Sequence, residues 1–242
     1  MKKTKLEMHV HTKYSKDSLL PFWVLYLKCR ICGIDYIAIT EHNNIDGAKE
    51  FERYCERHGS KISVIIGEEI FTSEGEIIGL FLREGIEPYL SPEKTISEIK
   101  KQGGIVYVPH PFDEKRKKTV LKEEIINRFN DKIDCIEIHN GRNIDKTYDR
   151  IQQEMAEKYH IFGVVGSDAH TIIEIGRNYM VIDCLDSTLT SNNFIAVLKQ
   201  GTIVEKKCIK IAHYITAIVK IFKMIRKGQF NEVYHIIYRK FK

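Results

Sequence analysis

Several features that would have narrowed the function at once are missing from this 242-residue chain. No apolar run approaches the roughly 20 residues needed to cross a bilayer, so no membrane-spanning helix is expected. The opening Met1-Lys2-Lys3-Thr4-Lys5 leads into a strand pattern, not an apolar signal core, so no secretory leader is expected either. There is no Gly-x-Gly-x-x-Gly or Walker-type loop, which argues against a nucleotide-cofactor fold. Internal repeats and low-complexity stretches are absent. Cysteine is sparse and scattered: Cys29, Cys32, Cys55, Cys135, Cys184 and Cys208 fall in segments that read as core helices and strands. That suits free thiols in a reducing cytosol, and a cytoplasmic protein is the expectation. Cys29-x-x-Cys32 has no second pair or histidine nearby and sits in a helical pattern ahead of Gly33, so it reads as packing, not as a zinc or redox motif.

What is present is an ordinary globular balance, 43% hydrophobic and 29% charged residues, in a length that suits one large α/β domain. The net charge of +5 is unevenly placed. Residues 205–242 hold ten Lys/Arg and two Asp/Glu, whereas residues 1–204 hold 28 and 31. The body is therefore mildly acidic, and the basicity lies in a C-terminal extension. We expect a domain over 1–204 and a basic amphipathic helical tail over 205–242.

Strand-like and helix-like patterns alternate along the body. Strands are expected at Lys5–Val10, Ile34–Thr40, Ile62–Ile66, Ile105–Val108, Ile133–Ile138, Ile161–Gly166, Tyr179–Ile182 and Thr202–Val204, with a hairpin over Ile70–Leu82. Helices are expected at Pro21–Cys32, Ile45–His58, Ser91–Gln102, Val120–Phe129, Asp145–Tyr159 and Asn192–Gln200. Pro21 suits a first helical turn and Gly33 a helix stop. Such alternation points to parallel βαβ units, and about seven of them favour a closed or distorted barrel over an open sheet.

The polar residues fall at one place relative to these strands. His9 and His11 close the first strand, two residues apart and so on one side of it. Glu41-His42, Glu68-Glu69, His110, His139-Asn140 and Asp168-Ala-His170 each follow a later strand. In a parallel barrel those ends share one rim, where active sites lie. A crowd of imidazoles and carboxylates in one cavity is hard to desolvate without cations. Mixed nitrogen and oxygen donors suit zinc, manganese or iron, and more than four ligands imply more than one ion. Paired divalent ions suit hydrolysis of a phosphoester.

With these residues in view, the chain resembles the polymerase and histidinol phosphatase (PHP) superfamily of metal-dependent phosphoesterases. The likeness rests on His9-Val-His11-Thr12 with Ser15 and Asp17, Thr40-Glu41-His42, Gly67-Glu68-Glu69-Ile70, Pro109-His110-Pro111-Phe112, Glu137-Ile-His-Asn140 and Gly166-Ser-Asp168-Ala-His170. It implies a distorted (β/α)7 TIM-like barrel, with the C-terminal helical extension outside the match, and two or three divalent ions at the C-terminal rim. By position, His9, His11 and Asp168 match ligands of a first ion, Glu69 the carboxylate bridging first and second, His110 a ligand of the second, and Asp17, His42 and His170 ligands of a third. Glu41 matches an acid that orients an imidazole. The resemblance also implies a metal-bound hydroxide as nucleophile, so no Ser or Cys nucleophile is needed.

One departure stands out. Many members carry a further histidine in the hairpin after the bridging glutamate, and Ser73–Leu82 has none. Glu76 or water could serve there, and His139 offers another imidazole or a proton donor to the leaving group. Phosphate also calls for cationic forks. Arg142 and Arg177 are the best placed by sequence, while Arg116, among Lys115, Lys117 and Lys118, reads as part of a solvated loop. His58, His160, His213 and His235 lie away from the strand ends and read as structural.

In the tail, Ile211, Tyr214, Ile215, Ile218, Phe222 and Ile225 recur at helical spacing, Gly228 breaks the pattern, and Phe230–Phe241 makes a second one. The tail reads as a cap packed on the barrel or a dimer contact, alternatively as a basic anchor for an anionic membrane or a partner. The expected activity is hydrolysis of a small phosphorylated metabolite or nucleotide. A nuclease acting on nucleic-acid ends is the alternative enzyme, disfavoured by the acidic body because polymer binding needs a basic track. A metal-stabilised accessory or regulatory domain is the non-catalytic alternative.

Overall fold

The computed structural model describes residues 3–114, 116, 118–183 and 188–234. Lys115, Lys117, Cys184, His235 and the end of the second tail pattern, 235–241, lie outside the described residues. The elements run β1 (Lys3–Val10), α1 (Phe22–Cys32), β2 (Tyr36–His42), α2 (Asp46–Arg57), β3 (Ser63–Thr72), β4 (Gly75–Leu80), α3 (Pro92–Lys101), β5 (Ile105–Val108), α4 (Glu123–Arg128), β6 (Cys135–Asn140), α5 (Lys146–Lys158), β7 (Phe162–Gly166), β8 (Tyr179–Asp183), α6 (Phe194–Leu198), β9 (Thr202–Val204) and α7 (Lys210–Arg226).

Local chemistry sets the boundaries. Helix α1 stops at Gly33, whose φ of 67° is left-handed, and the next amide, of Ile34, returns to the carbonyl of Cys29 at 2.9 Å. Helix α3 starts where the Ser91 hydroxyl accepts from the Lys94 amide, with Pro92 at the first helical position. Asp145 caps α5 in the same way through the Thr147 amide.

The nine strands form one sheet in the order β7-β6-β5-β4-β3-β2-β1-β8-β9. Strands β1, β2 and β3 are parallel, as are β5, β6 and β7. Strand β4 runs antiparallel to both neighbours, so the ring is mixed and not built of parallel units throughout. The segment after β7 folds back onto β1: the Ser167 and Ala169 amides donate to the carbonyls of Met8 and His9, and the His11 amide to that of Ala169. This nearly closes a barrel, with β8 and β9 as an antiparallel appendage.

One buried cluster takes side chains from every strand of the ring, among them Leu6, Ala38, Ile65, Ile78, Tyr107, Cys135 and Val164, and fills the space they enclose together with Phe194 of α6. Two others pack the outer helices, α1 and α2 through Leu25, Ile37 and Phe51, and α3 to α5 through Ile77, Ile99 and Ile126. Each fully buried side chain of this size contributes about 1.5–3 kcal/mol relative to exposure, so the frame holding the rim is rigid.

Two details depart from simple alternation. Strand β3 does not end at Ile66. It continues to Thr72, paired with β2 on one side and β4 on the other, and so carries Glu68 and Glu69 inside the sheet. The register of β1 against β2 shifts between Glu7 and Val10, and His9 within that bulge has φ 63°. Bulges re-aim side chains. His9 and His11 therefore meet, with ring centroids 5.1 Å apart, through a bulge and the turn after it, not through i, i+2 spacing on a regular strand.

Candidate metal centre

The strand ends converge as a single cluster at the mouth of the barrel. Glu69, from β3, lies at its centre. Its carboxylate oxygens stand 3.3 Å from His9 Nε2, 3.4 Å from His11 Nε2, 2.8 Å from His42 Nδ1 and 3.1 Å from His110 Nε2. Asp168 Oδ1 lies 3.7 Å from both His9 Nε2 and His11 Nε2. Asp17 Oδ1 completes the far side, 3.3 Å from His170 Nε2 and 3.6 Å from His42 Nε2. All eight residues singled out as ligands thus meet in one place. Glu68, by contrast, turns away, and its carboxylate accepts from the Ile86 amide at 2.9 Å.

Among the described residues, ligand-type atoms form four overlapping groups of three: His9, His11 and Asp168; His9, Glu69 and His110; His11, His42 and His170; and His42, Glu69 and Glu76. Glu76 is the hairpin residue on β4. Its carboxylate lies 3.5 Å from His110 Nε2 and 3.7 Å from His42 Nδ1, in the region left without a histidine.

The fit to cations can be judged from what these atoms lack. His9 Nε2, His11 Nε2, Asp17 Oδ1 and Glu69 Oε2 are buried and have no hydrogen-bond partner. Orphaned buried polar atoms are costly, and here they face one another. In three of the rings the other nitrogen is held. His9 Nδ1 lies 2.8 Å from Glu137 Oε1, His11 Nδ1 3.0 Å from Ser15 Oγ, and His170 Nδ1 2.9 Å from the carbonyl of Asp168. Holding Nδ1 as a donor leaves the Nε2 lone pair for a metal. The residues present therefore fit divalent ions.

Behind this layer, Glu137 is fully engaged: it accepts from Tyr107 OH, from the His110 amide at 2.6 Å and from Asn140 Nδ2 at 2.7 Å. Glu41 accepts from the Thr12 amide at 2.9 Å, from the Thr12 hydroxyl and from Ser15 Oγ, so it orients His11 through Ser15. Burial alone would push these acids up and the imidazoles down. Mutual attraction outweighs it for Glu69, whose carboxyl falls well below the usual range beside His9 and His42, and for Asp168 beside Arg116 and His9. His9 rises above the ordinary imidazole value beside Glu69 and Asp168, His42 rises beside Glu69 and Asp17, and His11, buried and crowded by His170 and His42, falls below it. The backbone at the rim is unusual as well: His9, His110 and Asp168 have φ of 63°, 28° and 48°. Such non-glycine conformations cost about 1–3 kcal/mol each and concentrate at functional sites.

The cluster opens into a cavity of about 540 Å³. Besides the ligands its lining includes the cationic Lys16, Arg116, Lys118, Arg142 and Lys220. Arg142 is 5% exposed, with Nη1 3.6 Å from Glu174 and Nη2 donating to Thr216 Oγ1 at 3.1 Å. Arg116 reaches in from its loop to donate to Asp168 at 2.6 Å, so it belongs to the site and not to a solvated charge run. His213 and Lys220 of α7 also line the cavity, which corrects the reading of His213 as remote.

Two expected positions lie elsewhere. The register of β6 shifts between Glu137 and His139. Glu137 takes the inward place, and His139 faces a separate cavity of about 330 Å³, 3.1 Å from Asp149 and 3.3 Å from Asn178 Oδ1. Arg177 follows Gly176, at φ 80°, and donates to the carbonyl of Lys207. It does not line the metal cavity. Sequence reading placed Glu137 in a motif but gave it no role, although an acid between Ile136 and Ile138 on a core strand is itself a signal, since burying one demands partners.

Comparison with known proteins agrees with this geometry. The PHP domain family model matches residues 7–224. The chain belongs to the PHP domain family. The match runs into α7 as far as residue 224, beyond the barrel proper. Two uncharacterized proteins of Methanocaldococcus jannaschii are similar: MJ1587, 43% identical over 120 residues that cover 45% of this chain and 68% of that one, and MJ0417, 33% identical over 205 residues that cover 82% and 80%. Among solved structures, a two-domain protein from Bacteroides vulgatus, described as containing a predicted PHP-like metal-dependent phosphoesterase, superposes with a TM-score of 0.66 at 19% identity, over 84% of this chain. This chain spans 65% of that protein's length. At this identity the likeness concerns the fold. Among the described residues of this PHP protein, no helix is long and apolar enough to cross a membrane.

Proposed function

We propose that this PHP-family protein hydrolyses the phosphoester bond of a small phosphorylated metabolite or nucleotide, using two or three divalent ions held by His9, His11, Asp17, His42, Glu69, His110, Asp168 and His170. The observation that carries the reading is the pairing in one cavity of unpartnered imidazole and carboxylate atoms with a wall of five cationic side chains. Mixed nitrogen and oxygen donors favour zinc, manganese or iron. What the ions would supply is Lewis acidity toward the phosphoryl oxygens and the attacking water.

The chain's own residues do the rest. Glu137 fixes the tautomer of His9, and Ser15 with Glu41 that of His11, so both rings present Nε2 to the centre. Arg142, its guanidinium positioned by Glu174 and Thr216, offers a planar fork for phosphate oxygens. Arg116 and Lys220 add charge at the mouth, and α7 lines the cavity through His213, Thr216 and Lys220. A volume of about 540 Å³ suits a metabolite-sized ligand. The five described cysteines are unpaired, which supports a cytoplasmic setting.

The test is to load the full chain separately with Zn²⁺, Mn²⁺ or Fe²⁺ and assay p-nitrophenyl phosphate, bis-p-nitrophenyl phosphate and a panel of phosphorylated metabolites and oligonucleotides. Metal-dependent turnover of the small monoesters or diesters supports the reading. Turnover confined to oligonucleotide ends would make it a nuclease, and stoichiometric metal without hydrolysis of any phosphoester would make it an accessory domain.

A further inference from the structure

Helix α7 crosses the barrel mouth with its polar side down. Ala212 and Val219 are buried, Thr216 and His213 meet Arg142, and Lys223 Nζ donates to the carbonyls of Lys13, Ser15 and Ser18 at 2.8, 2.6 and 2.6 Å. The other side carries Ile211, Tyr214, Ile215, Ile218, Phe222 and Ile225, each between 38% and 68% exposed. The apolar stripe that its periodicity suggests for packing on the barrel thus points into solvent, along a helix about 25 Å long. Single exposed apolar residues are ordinary, but a continuous ridge of this size marks an interaction surface.

The charge around the ridge says what it fits. No Asp or Glu occurs between Lys206 and Asn231, while Lys206, Lys207, Lys210, Arg226 and Lys227 are exposed beside it. Pairing with a second copy through this face would bring together two tails of +8 each, which repel. A surface that is apolar within and negative at its edge satisfies both halves of the pattern. A second exposed ridge, Leu19, Trp23, Leu27 and Ile31 on α1 and the turn before it, begins beside Ser18, where Lys223 pins α7, and no acid occurs from Ser18 to Gly33 either.

We propose that the outer face of α7 docks this protein on an anionic phospholipid surface, the apolar ridge entering the headgroup boundary while the flanking lysines and arginines meet lipid phosphates. The attachment is peripheral. It places the helix that walls the metal cavity, through His213, Thr216 and Lys220, at the lipid surface. It does not depend on the hydrolytic reading.

Cosedimentation of the full chain with vesicles of phosphatidylcholine alone, and of phosphatidylcholine with phosphatidylglycerol, tests this. The chain is expected to sediment with the phosphatidylglycerol vesicles, to stay in solution with phosphatidylcholine alone, and to be partly released by high salt. Replacing Ile218→Glu and Phe222→Glu together is expected to lower the bound fraction roughly tenfold or more, with an unchanged circular dichroism spectrum because both side chains face solvent. No sedimentation with either vesicle, equal binding to both, or undiminished binding of the double variant would overturn the proposal. So would a dimer in light scattering that the double substitution dissolves, which would assign the ridge to a second copy.

Discussion

Glu137 grips His9 from behind: its Oε1 lies 2.8 Å from His9 Nδ1, while Nε2 of the same ring stands 3.3 Å from Glu69. The carboxylate reaches the centre through this imidazole and through the His110 amide, from which it accepts at 2.6 Å. Glu137→Gln keeps the shape but offers an amide where a charged acceptor stood. Outer-layer changes of this kind cost about 10–100-fold in metal affinity or activity. We expect that loss for Glu137→Gln, read by chelator competition, together with a lower melting temperature of the metal-free protein, because the new amide NH2 faces buried donors that the carboxylate had satisfied. Gly166→Ala should act on the same link, because a Cβ there collides with the Glu137 carboxylate and with Tyr107. Unaltered metal affinity in Glu137→Gln would detach Glu137 from the centre.

His9→Ala removes an imidazole that belongs to two of the ligand groups, and Asp168→Ala removes the carboxylate of the group it forms with His9 and His11. Both variants should lose bound metal and hydrolysis together, measured by elemental analysis and by phosphoester turnover, while circular dichroism stays native-like. Stripping metal from the parent should also lower its melting temperature, since a ligand bound only by the folded state stabilises it. Full activity in both variants would refute the assignment.

Much of this site could be read in the sequence, and for a physical reason. Strand alternation locates the strand ends, and a barrel gathers those ends at one rim, so periodicity draws attention to His9, His42, the Glu68-Glu69 pair, His110 and Asp168, while the choice of Glu69 over Glu68 rests on the family resemblance. What alternation does not encode is a bulge. The shift in β6 decides that Glu137 faces inward and His139 away, and no residue type announces it. Arg116 was obscured by its charged neighbours, because a run of cations looks the same whether solvated or folded over an acid. For α7 the periodicity marked an apolar stripe but not its direction. That depends on Lys223 and Thr216 bonding to the rim, contacts between segments distant in the chain.

Arg142 is 5% exposed yet lines the cavity, so it should bear on substrate and not on metal. Charge-assisted hydrogen bonds contribute about 1.5–3 kcal/mol. Arg142→Ala should therefore reduce kcat/KM roughly 10- to 100-fold, mainly through KM, with metal content unchanged. Arg142→Lys should recover only part, because the fork is lost. Equal loss of metal in Arg142→Ala would show instead that the residue supports the ligands through Glu174.

Glu7 sits beneath the centre, fully buried, with Oε2 accepting from the Gly176 amide at 2.8 Å and Oε1 unpartnered. Burial raises its pKa from 4.5 to about 8, against the opposing pull of the Gly176 hydrogen bond. The folded protein therefore keeps a proton that the unfolded chain has already released. Between those two values the native state binds more protons, so stability falls as pH rises from about 4.5 to about 8 and levels off beyond. The cost of ionising this carboxylate in place is of the order of a few kcal/mol. Glu7→Gln removes the titration and keeps the side-chain volume. Urea unfolding near pH 5 and near pH 9 should show a parent that weakens across the interval and a variant with a flatter profile, the gap widening toward the alkaline end. Parallel profiles for the two proteins would mean that Glu7 is relieved by a partner or by water, and that its proton is not what the fold retains.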